Sequence, residues 1–88
     1  MLASWYGPYF HGRTTANGET YNMYGISAAH KTLPVGTKLR VCYKECVDVR
    51  INDRGPYIGA GELDLSYAAA KQIGMIEPGV VNVQVTYL

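Results

Sequence analysis

Two carboxylates and a guanidinium fall close together in a chain that has few acids. Asp53 and Arg54 open the stretch Asp53-Arg54-Gly55-Pro56-Tyr57, and Asp64 follows eleven residues after Asp53, in Leu63-Asp64-Leu65-Ser66. Carboxyl groups held near a reacting bond give and take protons. Ahead of them the strand-like run 47–51 stops at a turn made of an acid, a base, a glycine and a proline. Rigid elements that end in polar loops are common places for binding and catalysis. With seven acids in 88 residues, this loop is the first place to look for chemistry. The aromatic content points to a ligand class. Eight Tyr, one Trp and one Phe are present, and Trp5, Tyr6, Tyr9 and Phe10 crowd the N-terminus. Such residues fill cores and rims, but they also offer an apolar face with a polar handle to a flat, polar ligand such as a sugar ring.

The elements that must hold these groups are short. Residues 3–6 read as a strand broken by Gly7-Pro8, and residues 11–22 as a loop rich in Gly, Thr and Asn. A short strand over 25–28 enters Ala29-His30-Lys31, and residues 33–36 form a turn. Residues 37–43 and 47–52 form a hairpin. If Tyr43, Lys44 and Glu45 make a three-residue loop, Cys42 faces Cys46, Val41 faces Val47, Arg40 faces Asp48 and Leu39 faces Val49. One face is then apolar, and the other carries an ion pair and a cysteine pair. Residues 66–73 read as the one clear helix, with Ser66 as N-cap, Leu65 and Ala70 at staple positions and Gly74 as the stop. After the turn at Glu77-Pro78-Gly79, residues 80–88 alternate apolar and polar as a closing strand. Several short strands with one helix suggest a small barrel, which removes exposed strand edges.

Composition narrows the class. At 88 residues the chain is expected to be one domain, 1–88. Its hydrophobic content of 48% against 17% charged residues suits a packed core rather than disorder. A formal charge of +1 supplies no basic field for nucleic acid. No apolar run approaches the length of a membrane span. Met1 runs straight into what reads as the first strand, so any leader is expected to have been removed. Cys42 and Cys46 are too few for a zinc site, and His11 and His30 have no spacing that completes one. Their cross-strand placement favours a disulfide, and so an oxidising compartment. No metal, no cofactor and a monomeric state are expected.

Taken together, the segments resemble the RlpA-like (rare lipoprotein A) double-psi β-barrel domain. The residues that carry the resemblance are Ala3-Ser4-Trp5-Tyr6-Gly7, residues 10–19 from Phe10-His11-Gly12-Arg13 to Asn17-Gly18-Glu19, and Ala28-Ala29-His30-Lys31-Thr32-Leu33-Pro34. They continue with Val49-Arg50-Ile51-Asn52-Asp53-Arg54-Gly55-Pro56, Leu63-Asp64-Leu65-Ser66, Ala68-Ala69-Ala70, Gly74-Met75-Ile76 and Gly79-Val80. The match runs in order along almost the whole chain. Expansins, barwin-like proteins and some glycoside hydrolases are similar in barrel. The hairpin closed by Cys42 and Cys46 departs from the family, many members of which carry a longer loop there without cysteines.

The resemblance implies a mainly β fold, a six-stranded double-psi barrel with one short helix over about 66–73. It also implies a secreted or cell-envelope protein acting on peptidoglycan glycan strands as a lytic transglycosylase, in the manner of members that cut strands stripped of stem peptides. In such a reaction one carboxyl protonates the leaving oxygen, and the sugar's own hydroxyl attacks to form an anhydro ring. The family's site residues map onto Glu19, His30 and Asp53, with Asp64 in the segment that matches the conserved expansin aspartate. Asp53 is the first choice for the acid, on condition that Arg54 points elsewhere, since a close cation keeps a carboxylate charged. Arg54 is then free to brace the loop, by pairing with Asp64 or another acid. His30 reads either as a turn cap or as a group that contacts sugar or tunes the acid. Glu19 would otherwise be solvated surface. Asp64, just ahead of a helix N-cap, is expected to stay anionic and supportive, with Tyr6 and Tyr57 as further substrate contacts. Two other readings share the barrel: a non-catalytic wall-binding module like an expansin, and a secreted protein inhibitor that uses the cysteine hairpin.

Overall fold

The computed structural model describes residues 1–5, 18, 25–55 and 61–88. Glu19, Tyr6, Tyr57, Tyr9, Phe10, His11 and Arg13 lie outside the described residues, as do the break at Gly7-Pro8 and almost all of the loop 11–22. The hairpin of β3 (Lys38–Cys42) and β4 (Cys46–Asp53) has the expected register, with Leu39 opposite Val49, Arg40 opposite Asp48, Val41 opposite Val47 and Cys42 opposite Cys46. Alternation sends Leu39, Val41, Val47 and Val49 into the core, where each is at most 5% exposed. Full burial of one such side chain stabilises by about 1.5–3 kcal/mol. The opposite face keeps the Arg40–Asp48 ion pair at 2.8 Å in solvent, and Cys42 is disulfide-bonded to Cys46.

The remaining strands are short: β1 (Leu2–Trp5), β2 (Ala28–His30), β5 (Leu63–Leu65), β6 (Val81–Asn82) and β7 (Gln84–Tyr87). Their order in the sheet is β6-β1-β5-β2-β4-β3-β7. The expected closing strand over 80–88 is interrupted at Val83, which is buried. Its first half pairs with β1 and its second half with β3, so one continuous segment joins the two ends of the sheet and closes the barrel. The break turns six expected strands into seven. Two parallel pairs, β1 with β5 and β2 with β4, flank the antiparallel pair of β2 with β5. This is the pattern of a double-psi barrel.

The helix α1 (Tyr67–Ile73) starts and stops where its capping residues indicate. The Ser66 hydroxyl accepts from the Ala69 N–H at 3.3 Å and from the Ser27 N–H at 3.2 Å. That second bond ties the helix start to the segment entering β2. At the other end Gly74 adopts φ 83°, a left-handed conformation that glycine takes without a Cβ penalty. The Lys44 N–H at the hairpin tip donates to the Ile73 carbonyl at 3.1 Å. Gln72 Nε2 donates to the Cys46 carbonyl at 3.3 Å. The cysteine hairpin is therefore docked on the helix C-terminus.

Candidate active site

The sheet register builds a row of side chains across four strands. Ser4 on β1 faces Asp64 on β5, Asp64 faces Ala29 on β2, and Ala29 faces Asp53 on β4. Leu63 and Leu65, the neighbours of Asp64, are fully buried in the core. Strand alternation therefore sends Asp64 to the outer face of the barrel, with Ser4 and Ala29 beside it. Asp53 joins this face through an irregularity. The pairing of β2 with β4 passes from Ala28–Ile51 to Ala29–Asp53, leaving Asn52 as an extra residue. In strict alternation after Ile51, Asn52 would have faced out and Asp53 in; the bulge re-aims the carboxylate. Asn52 is itself buried, and among the described residues its Oδ1 has no hydrogen-bond partner. The backbones of β4 and β5 stand about 10 Å apart across β2, which brings their two carboxyls within electrostatic range.

The environment of Asp64 differs from its sequence expectation. A carboxylate next to a helix N-cap is expected to stay anionic. Instead burial pushes its pKa up to about 6, the hydrogen bond from Ser4 opposes that rise, and the negative charge of Asp53 adds to it. The helix N-terminus is served by Ser66, and Asp64 lies further back, on a strand too short to show in the sequence. Ser4 Oγ donates to Asp64 Oδ1 at 3.1 Å. Asp53 Oδ1 accepts from the Arg54 N–H at 2.8 Å.

Arg54 and His30 together tie down one turn. The Arg54 guanidinium donates through one nitrogen to the Leu33 carbonyl at 2.7 Å and to the His30 carbonyl at 3.4 Å. It thus braces the turn after β2, and the anticipated pairing with Asp64 is not formed. His30 Nδ1 accepts from the N–H groups of Thr32 and Leu33, each at 3.1 Å. This is the turn-capping reading of His30, and it has a chemical consequence. A ring nitrogen that accepts two hydrogen bonds carries no proton, so the neutral ring holds its proton on Nε2 and presents a donor there. Burial lowers the His30 pKa; Glu62 raises it, and Arg54 and Lys31 lower it. Gly55, next to Arg54, adopts φ 134°, a conformation that glycine takes without a Cβ penalty.

The described site therefore brings together Asp53, Asp64, His30 and Arg54 around β2. Ser4 is a site residue that the sequence does not single out. It lies in a segment that matches the family, but only the pairing of β1 with β5 shows that it touches an acid. Trp5 packs against the core and edge-on to Tyr67, with ring centroids 5.6 Å apart, so it serves the core and rim. Among the described residues no cluster of three His, Cys, Asp or Glu side chains could hold a metal ion.

A family model described as lytic transglycolase matches residues 1–85. The chain belongs to this family. It is 54% identical over 86 residues to the endolytic peptidoglycan transglycosylase RlpA of Pseudomonas aeruginosa, covering 94% of this chain and 25% of that protein. To the probable endolytic peptidoglycan transglycosylase RlpA of Synechocystis it is 54% identical over 85 residues, covering 93% and 26%. The chain thus spans about a quarter of the length of these relatives. Among solved structures, the Streptomyces papain inhibitor superposes with a TM-score of 0.76 at 22% identity, covering 99% of this chain and 90% of that one. An expansin of Clavibacter michiganensis, solved as a point mutant in complex with cellohexaose, gives 0.77 at 21% identity, covering 99% and 48%. These two likenesses concern the fold, and they agree with the double-psi barrel expected for RlpA-like domains.

Proposed function

We propose that this domain binds peptidoglycan glycan strands, with peptide-free strands preferred, and cleaves them as a lytic transglycosylase, leaving anhydro-sugar ends. The observation that carries the reading is the outward row in which Asp64, desolvated and repelled by Asp53, keeps its proton to about pH 6. Two carboxyls in unlike surroundings can divide the acid and base roles between them. Asp64 protonates the glycosidic oxygen as the C1–O bond breaks. Asp53, as the anion, stabilises the oxocarbenium-like centre and takes the proton of the sugar hydroxyl that attacks C1. No water is consumed. This moves the proton-donor role from Asp53, the first choice from sequence, to Asp64. His30 Nε2–H contacts the strand, and Arg54 holds the turn that carries His30. Glu19, Tyr6 and Tyr57 complete the site as substrate contacts. The disulfide fits an oxidising compartment such as the cell envelope or the exterior, and no helix among the described residues is long and apolar enough to cross a membrane.

The test is mass spectrometry of products from peptide-free glycan strands. Asp64→Asn and Asp53→Asn are each expected to lower the rate by roughly 10²–10⁴-fold. Undiminished anhydro products from Asp64→Asn would remove it as the acid, and no such products from the wild type between pH 4 and 8 would remove the transglycosylase reading. A second reading, a wall-binding module without cleavage, draws on the expansin likeness in fold. It predicts glycan binding that survives Asp64→Asn alongside a wild type that releases no products.

A further inference from the structure

Ser4 is the polar member of the outward row with no assigned role. From β1 the residue facing Asp64 is Ser4, and the rest of that strand, Leu2, Ala3 and Trp5, carries no charge. From β2 come Ala29, directly opposite, and His30, one position on. Beyond Ala29 stands Asp53 on β4. Ahead of β5, Glu62 accepts from the Leu2 N–H through Oε1. Among the described residues, Ser4 is the one side chain that hydrogen-bonds the Asp64 carboxyl.

We infer that Ser4 is a positioning residue for Asp64: its hydroxyl, by donating to Oδ1, fixes the plane of the carboxyl and leaves Oδ2 as the oxygen that carries the transferable proton. The inference rests on Asp64 being the proton donor. A hydroxyl has one proton to give. A carboxylic acid accepts best through its carbonyl oxygen, so with Ser4 donating to Oδ1 the acid proton resides on Oδ2. When the glycosidic bond breaks, the Oδ2 proton goes to the leaving oxygen, and the proton of Ser4 stays in place and stabilises the new carboxylate. A bond from a neutral donor is stronger to the anion than to the neutral acid. Ser4 therefore offsets part of the penalty that burial and Asp53 place on ionisation, and keeps Asp64 acidic enough to release its proton.

The experiment follows the Asp64 carboxyl carbon by NMR across pH, with 13C-labelled aspartate, in the wild type, Ser4→Ala, Ser4→Thr and Ser4→Cys. Ser4→Ala is expected to move the Asp64 midpoint up by about one pH unit. It should shift the alkaline limb of the pH–rate profile in the same direction, and lower kcat with little change in KM. Ser4→Thr should restore all three, and Ser4→Cys, a weaker donor of similar size, should fall between. An Asp64 midpoint unchanged in both Ser4→Ala and Ser4→Cys overturns the inference. Because the titration needs no turnover, its outcome is independent of the product assay: a shifted midpoint in a protein that releases no anhydro sugar upholds the contact and sinks the transglycosylase reading.

Discussion

At the scale of single residues, the site separates groups that look alike in sequence. Asp53 and Asp64 are both aspartates on strands, at the end of β4 and within β5, yet the second is enclosed by the row and feels the charge of the first. Its raised pKa means that the folded chain binds a proton more tightly than the unfolded chain does. The stability this contributes is fully present below the unfolded value of 3.8 and is lost as pH rises through about 6. A gap of this size corresponds to roughly 3 kcal/mol. Asp64→Asn, which keeps an oxygen for Ser4 but cannot ionise, should therefore raise stability at pH 7 by about 1–3 kcal/mol while removing activity. Urea unfolding of the two proteins at pH 4 and pH 7 checks this: the gain should appear at pH 7 and vanish at pH 4. A variant that is no more stable at pH 7 would show that the carboxylate is better solvated than its surroundings imply.

At the scale of elements, the site depends on how short strands are joined. The turn after β2 is held by His30 from within and by Arg54 from outside, and Gly55, next to Arg54, takes a backbone conformation that favours glycine. Gly55→Ala should cost about 1–3 kcal/mol and lower kcat, because strain at this position would be passed to the adjoining Asp53 and Arg54; thermal melts alongside product assays measure both effects. The cysteine hairpin closes a loop with a sequence separation of four, and short loops gain little from cross-linking. Replacing both Cys42 and Cys46 by Ser should destabilise by about 2 kcal/mol or less without altering product spectra, since the tip stays docked through Lys44 and Gln72. Elements of this kind are legible in sequence where local pattern decides them. Period-two alternation fixes the hairpin register, and Ser66 with Gly74 brackets the helix. Three features are not legible. β5 is three residues long, too short to show a period. The break at Val83 becomes visible only once the segment pairs on two sides. The bulge at Asn52 turns Asp53 outward against the alternation of its own strand. The residues of the site can be read, but which faces they share cannot, because that is set by pairings between segments distant in sequence.

At the scale of the whole molecule, the barrel keeps its core and its candidate site on opposite faces of the same strands. Leu63, Leu65 and Ile51 fill the interior while Asp64 and Asp53 look outward, so the proposed reaction needs no cavity in a core this small. The two titrating groups then set a common working range. In the proposed reaction Asp64 has to hold its proton, which would limit activity above about pH 6. His30 must stay neutral, because a proton on Nδ1 would face the donor N–H groups of Thr32 and Leu33 and loosen the turn. Its folded pKa lies below 6.5, so the stability it contributes is present above 6.5 and is lost as pH falls through the folded value. The two effects run in opposite directions, and the rate should pass through a maximum on the acid side of neutrality. On the alkaline side kcat/KM should fall about tenfold per pH unit beyond about 6. On the acid side, His30→Gln, whose amide oxygen can still accept from the turn, should extend activity to lower pH while leaving the alkaline limb unmoved. Rate measurements on peptide-free strands from pH 4 to 8 for the wild type and this variant decide the point. If instead the alkaline limb moves with His30→Gln, His30 is the group that loses the essential proton, and Asp64 is not the acid.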